Sequence, residues 1–258
     1  MTGHLLVVGA QRCGTTYLRS LLDAHPEITM ARPDRPEPKV FCSDEAAGRG
    51  LEWYDETFFA HARDERLLGD KSTSYLEDPA APGRVAAVLG EPHVVVLLRD
   101  PVRRAVSNWR FSTRHGFEDR PLEAALCDNL VRSRPWDPER TSVSPYAYLE
   151  RGRYLGYLEP WLTAFPATMH VLFLEELVGS DTALADLWAA LGVDDSPRPP
   201  REEGVNASPG DAPGLSPALV ETVQGYFEDS NRALSARLRR DLPWWAGAAR
   251  GGGMRRQT

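Results

Sequence analysis

The chain has 258 residues, 42% of them hydrophobic, which suits one large buried core better than two small ones. A net charge of −7 and a pI near 5.5 argue against a general nucleic-acid binder, which would carry a basic footprint, but leave room for a local basic pocket for a small anion. The three cysteines, Cys13, Cys42 and Cys127, are odd in number and widely spaced, with no CxxC or Cys/His cluster, so neither a disulfide framework nor a zinc site is expected and a reducing, cytoplasmic setting is the simpler expectation.

Residues 4–8, "HLLVV", form a short apolar run stopped by Gly9, as expected of a buried parallel strand. The chain enters it with no charged leader, so no signal peptide is expected. From Thr15 to Ala24, apolar residues recur at Leu18, Leu21 and Leu22, a helical pattern ending before His25-Pro26. Residues 31–50 are rich in Pro, Gly and charge and read as loop; 52–62 read as a short amphipathic helix and 66–79 as a strand passing into a loop. Val94 to Leu98 is a second buried strand. Asp100 then suits a helix N-cap, Pro101 a first helical residue, and Val102, Ala105, Val106 and Trp109 one helical face. Residues 113–148 read as an irregular, partly helical insertion, 154–165 as helix and 169–177 as a third buried strand. Leu184, Leu187, Trp188 and Leu191 mark another helix, 194–214 a Pro/Gly-rich loop, and 216–238 a last helix. The expected domain spans 1–245, followed by a disordered tail over 246–258. No apolar run approaches the roughly 20 residues of a membrane helix.

Alternating strands and helices predict an α/β fold, a single domain with a mostly parallel central sheet flanked by helices, of the kind found in P-loop nucleotide-binding proteins. Ligands of such sheets bind at the carboxyl ends of the strands. Two strand–turn–helix units place polar residues there. In the first, "GAQRCGTTYL", Gly9 and Gly14 have the spacing of G-x-x-x-x-G-K-S/T, with Thr16 at the Ser/Thr position, but Thr15 stands where the lysine belongs. The cation is Arg12, inside the loop. Backbone N–H groups from Gln11 to Thr16 and the following helix N-terminus suit an anion, and Arg12 adds a planar, permanently charged fork. In the second unit, "LLRDPVRRAVSNW", Arg99 ends a buried strand, where a guanidinium needs an anion or a carboxylate such as Asp100 or Asp70. Ser107 follows on the helix, while Arg103 and Arg104 read as a solvated face.

Together these motifs resemble the PAPS-dependent sulfotransferases, which move a sulfuryl group from 3′-phosphoadenosine-5′-phosphosulfate to an acceptor. "GAQRCGTTYL" is similar to their 5′-phosphosulfate loop and "VVVLLRDPVRRAVSNW" to their 3′-phosphate motif. The likeness continues through "EPKVF", "GDKSTSYL", "RGRYLGYLEPWL" and "VLFLEEL". It implies that Arg12, Cys13, Gly14, Thr15 and Thr16 hold the 5′-phosphosulfate of PAPS, that Arg99 and Ser107 hold the 3′-phosphate, and that Asn206 closes over the nucleotide. It implies PAP as product and no metal requirement. "EPKVF" is similar to a segment whose glutamate is the base, which maps to Glu37, although Pro36 and Lys39 depart from that pattern. Lys71 in "GDKSTSYL" matches a lysine near the reaction centre, with Asp70 as its partner. Cys13 fills a small-residue slot. The expected acceptor is a small-molecule hydroxyl, with Trp136, Tyr146 and Tyr148 hinting at an aromatic or glycosidic one, and neither nucleic acid nor membrane is an expected partner. A P-loop kinase or NTPase, or a non-catalytic adenine-nucleotide binder, are the competing readings; the first lacks its lysine at Thr15.

Overall fold

The computed structural model describes residues 2–137, 141, 143–197 and 214–245. In chain order the elements are β1 (Gly3–Gly9), α1 (Thr15–Asp23), β2 (Ile28–Met30), α2 (Asp44–Ala47), α3 (Gly50–Phe59), β3 (Leu67–Lys71), α4 (Ala81–Leu89), β4 (His93–Leu98), α5 (Pro101–Arg114), α6 (Leu122–Val131), α7 (Leu155–Ala164), β5 (Met169–Phe173), α8 (Leu174–Gly179), α9 (Asp181–Leu191) and α10 (Pro217–Leu238). The described residues fall into two compact units, one drawn from 2–98 and 156–197, the other from 99–155 and 214–245.

The first unit holds the whole sheet: five parallel strands in the order β2-β3-β1-β4-β5, flanked by helices. Leu5 to Val8 and Val94 to Leu98 have no solvent exposure, which is why β1 and β4 read as unbroken apolar runs rather than as alternating ones. Leu5, Val7, Val95 and Leu97 pack into one cluster with Leu18, Leu21 and Leu22 of α1 and with Leu184, Leu187, Trp188 and Leu191 of α9. Each such Leu or Val contributes roughly 1.5–3 kcal/mol by leaving water, so this layer is the main support of the sheet.

Chain order starts at β1, moves outward to β2, returns to β3 and then crosses to β4. The reversal falls beside β1, and the crevice at the carboxyl ends there is the favoured ligand site. The expected third strand is shorter than 169–177. Strand β5 ends at Phe173 and α8 begins at Leu174; as an edge strand β5 is also only partly buried. Strand β2, only three residues long, escaped the sequence pattern, as did α4, whose Pro82 marks a break in the sequence but sits harmlessly in the first turn. The expected loop over 31–50 contains α2, opened by Ser43, whose hydroxyl accepts from the Ala46 N–H at 3.1 Å, with Asp44 and Glu45 favourably placed in the first turn.

In the second unit Ala105 of α5 packs with Leu122, Ala125 and Leu126 of α6 and with Leu219, Val223 and Phe227 of α10. Val102, Val106 and Trp109 border that cluster, as their spacing predicts. Asp100 caps α5, its Oδ1 accepting from the Val102 N–H at 2.8 Å. Arg104 does not lie on a solvated face. It is wholly buried, and its guanidinium donates to the carbonyls of Ala147 (3.1 Å) and Tyr148 (2.6 Å). Only Arg103 is exposed, with Nε 3.8 Å from Asp100. Among the described residues no helix is long and apolar enough to cross a membrane.

Candidate functional site

The loop between β1 and α1 runs off a central strand. Its Ala10 N–H donates to the Leu97 carbonyl of β4 at 2.9 Å, and Cys13 N–H returns to the Ala10 carbonyl at 3.2 Å. Gly14 has φ 89°, a left-handed conformation that a side chain resists, and it is the residue on which α1 starts. A Cβ on Gly9 would stand 2.7 Å from Cδ2 of Leu76, so the strand end is equally intolerant of bulk. Helix α1 has no acidic residue in its first turn. The first amides of any helix lack acceptors within it, so those of Thr15, Thr16 and Tyr17 meet the loop with partial positive charge. Thr15 is buried and Thr16 exposed; Arg12, itself left-handed at φ 67°, is half-buried. Cys13 is buried, with its thiol 3.7 Å from the Gln11 carbonyl, consistent with a small-residue slot.

Strand register carries the next residues to the same sheet edge. Val7 of β1 is level with Lys71 of β3, and β2, which leads toward Glu37, pairs with β3 on its other side. Lys71 Nζ donates to Glu37 Oε1 at 2.6 Å. Thr73 completes a clamp: its N–H donates to Glu37 Oε2 at 3.0 Å and its hydroxyl lies 3.1 Å from the same oxygen. Thr73 was not singled out from sequence, although it stands inside "GDKSTSYL"; its contact depends on a loop 36 residues away.

Asp70 is not the partner of Lys71. Neighbouring strand residues face opposite ways, so Lys71 turns to Glu37 while Asp70 turns into the core. There Asp70 has no exposure and accepts from the hydroxyls of Tyr75 (2.7 Å), Ser72 (2.8 Å) and Tyr54 (3.2 Å). Burial is the largest influence on its carboxyl and pushes it up to about 6, against the pull of those three hydroxyls; the nearby charge of Glu37 pushes the same way. Tyr54 and Tyr75 are raised well above the ordinary phenol range, first by burial and then by the Asp70 charge.

In the second unit Arg99 is half-buried and Ser107 buried. The Arg99 carbonyl accepts from the Tyr154 hydroxyl at 2.6 Å, which ties the residue after β4 to the segment before α7. Tyr148 is core rather than cleft wall: it is fully buried and donates to Glu118 at 2.8 Å. Tyr146 donates to the Phe117 carbonyl at 3.0 Å, under the guanidinium of Arg134. Asn206 and the expected tail over 246–258 lie outside the described residues.

The glycine-bounded loop carrying its cation at Arg12 and the glutamate clamped by Lys71 and Thr73 belong to the same unit as the five-stranded parallel sheet. Residues 2–178 match the family model described as a sulfotransferase domain, and the chain belongs to that family. It is 29% identical over 178 residues to heparan sulfate glucosamine 3-O-sulfotransferase 3A1 of Mus musculus, covering 69% of this chain and 42% of that protein. With bifunctional heparan sulfate N-deacetylase/N-sulfotransferase 1 of Caenorhabditis briggsae it shares 27% over 166 residues, 62% of this chain and 19% of the relative. The chain thus spans less than half the length of these curated relatives. A sulfotransferase from Alicyclobacillus acidocaldarius superposes with a TM-score of 0.74 at 25% identity, covering 94% of this chain and 98% of that one. The sulfotransferase domain of the Synechococcus PCC 7002 olefin synthase, at 18% identity and a TM-score of 0.51, shares the fold.

Proposed function

We propose that this chain transfers a sulfuryl group from PAPS to the hydroxyl of a small-molecule acceptor, with Glu37 as general base. The observation that carries the proposal is the Glu37–Lys71 contact of 2.6 Å at the same sheet edge as the Arg12 loop. The residues suit the nucleotide: Gly14 keeps the helix N-terminus clear, Cys13 is small, Thr15 and Thr16 bring hydroxyls, and Arg12 brings a fork matched to oxyanions. Bound PAPS would supply the activated sulfuryl group and leave as 3′,5′-ADP. Arg12 would offset negative charge growing on the leaving phosphate; it stays protonated, so it acts as an electrostatic clamp and not as an acid. Arg99 and Ser107 would hold the 3′-phosphate, and Asn206 would close over the nucleotide.

Glu37 would take the proton of the attacking hydroxyl. Its carboxylate is held by Lys71 and Thr73 at both oxygens, which limits the directions from which an acceptor can approach. Lys71 would also stabilise charge at the reacting centre. The relatives named for heparan sulfate act on a polyanion, whereas a net charge of −7 favours a small acceptor here. Three free cysteines support a reducing compartment, the cytoplasm being the simplest. The unit that performs this chemistry is taken as residues 1–245. Calorimetry with 3′,5′-ADP in EDTA tests the reading: tight binding is expected, and binding of Mg·ATP alone would sink it. Labelled PAPS screened against alcohols, phenols and sugars then identifies the acceptor.

A further inference from the structure

Three consecutive residues at the end of β3 hold the Glu37 segment in two ways. Lys71 and Thr73 grip its carboxylate. Ser72 between them grips its backbone, because the Lys39 N–H donates to Ser72 Oγ at 2.9 Å. Glu37 stands between Pro36 and Pro38, and proline has no N–H. The Lys39 amide is therefore the first backbone donor after Glu37, and Lys39 itself is held left-handed at φ 52°.

What makes Ser72 an acceptor is Asp70. A serine hydroxyl has one proton, and Ser72 gives it to Asp70 Oδ1 at 2.8 Å, which leaves its lone pairs to receive Lys39. Asp70 Oδ2 takes the protons of Tyr54 and Tyr75, so a hydroxyl from α3 and two from the segment after β3 converge on one carboxyl with no solvent exposure. Burying a carboxylate is costly, and an apolar side chain would fill the same space at lower cost. The position of Asp70 makes sense if its orientation of Ser72 matters.

We propose that Asp70 is a positioning residue for Glu37: acting through Ser72, it fixes the Lys39 amide and so the place from which the Glu37 carboxylate meets Lys71 and the acceptor. The inference rests on the reading of Glu37 as base. It is tested on the full chain with Ser72→Ala, which removes one hydroxyl and leaves both tyrosines on Asp70, and with Asp70→Asn, which cannot accept all three hydroxyls. Hydrogen exchange at the Lys39 amide should speed up about tenfold in both variants, the equivalent of one lost hydrogen bond. The side-chain carboxyl 13C resonance of Glu37 should move in both. Turnover of PAPS should fall about tenfold in kcat, with 3′,5′-ADP affinity within about twofold of wild type. Unchanged Lys39 exchange and an unmoved Glu37 resonance would overturn the positioning role. Failure of the wild-type chain to bind 3′,5′-ADP would overturn the sulfotransferase reading instead, and the two are told apart because exchange and resonance need neither PAPS nor acceptor.

Discussion

Lys71 Nζ and Glu37 Oε1 stand 2.6 Å apart, with the two side chains only 12% and 19% exposed. An ion pair in open solvent is worth little, but at this burial removal of one partner strands the other. Glu37→Gln keeps the shape and can still accept from the Thr73 N–H, so it should leave 3′,5′-ADP affinity unchanged while reducing transfer by about 10²–10⁴-fold, the usual range for a lost general base. An unchanged rate in that variant would move the base elsewhere. Lys71→Met leaves the Glu37 carboxylate without its cation at this burial, so it should lower both kcat and stability.

The proposed roles give Arg12 the 5′-phosphosulfate and Arg99 the 3′-phosphate, and paired titrations separate them. Arg12→Ala should weaken 3′,5′-ADP and 5′-AMP alike, by about 10–100-fold for the loss of charge-assisted hydrogen bonds, and Arg12→Lys should recover part of it. Arg99→Ala should weaken 3′,5′-ADP to a similar degree but 5′-AMP by less than about twofold, since the latter has no 3′-phosphate. Equal losses for both nucleotides in Arg99→Ala would contradict its assignment.

The parts of this structure that local chemistry specifies could be read directly. Strands β1 and β4 are buried on both faces and so appear as continuous apolar runs, and the Asp100-Pro101 start of α5 is written in two adjacent residues. Strand β2 is too short to show a period, and α4 hides behind a proline that only its first turn tolerates. In the site, the Arg12 loop is contiguous and legible. The partners of Glu37 are not, because Thr73 lies 36 residues away and Asp70 differs from Lys71 only in which side of β3 it faces. The burial of Arg104 was equally hidden, since its acceptors are carbonyls of a distant loop, which carry no side-chain signal.

Glu118 makes the second unit acid-sensitive. Burial alone would raise its carboxyl, but the Arg120 guanidinium at 2.7 Å, the Arg120 N–H and the Tyr148 hydroxyl together hold it down to about 2. Unfolded, it titrates near 4.5, so between those values the unfolded chain binds more protons. Its stabilisation is complete above about pH 4.5 and is lost as pH falls toward 2. Urea midpoints measured down that range should drop, and Glu118→Gln should be less stable at pH 7 and show a shallower acid decline. A drop of equal size in both proteins would remove Glu118 from the explanation.

Asp70 acts in the opposite sense. Its folded carboxyl titrates near 6 against 3.8 unfolded, raised first by burial, so between these values the folded chain binds more protons and stability falls as pH rises. Full ionisation of the buried group costs about 3 kcal/mol by pH 8. Asp70→Asn loses hydroxyl contacts but also loses that ionisation. The variant should be clearly less stable than wild type at pH 4, and the gap should narrow by up to about 3 kcal/mol between pH 4 and 8. Chemical denaturation of both proteins at matched pH values measures the gap, and a constant difference across the range would show that Asp70 does not titrate within it. Narrowing would also mean that wild type accepts a stability cost at neutral pH to keep a charge behind Ser72, which is the cost expected of a residue retained to orient Glu37 and not to hold the fold together.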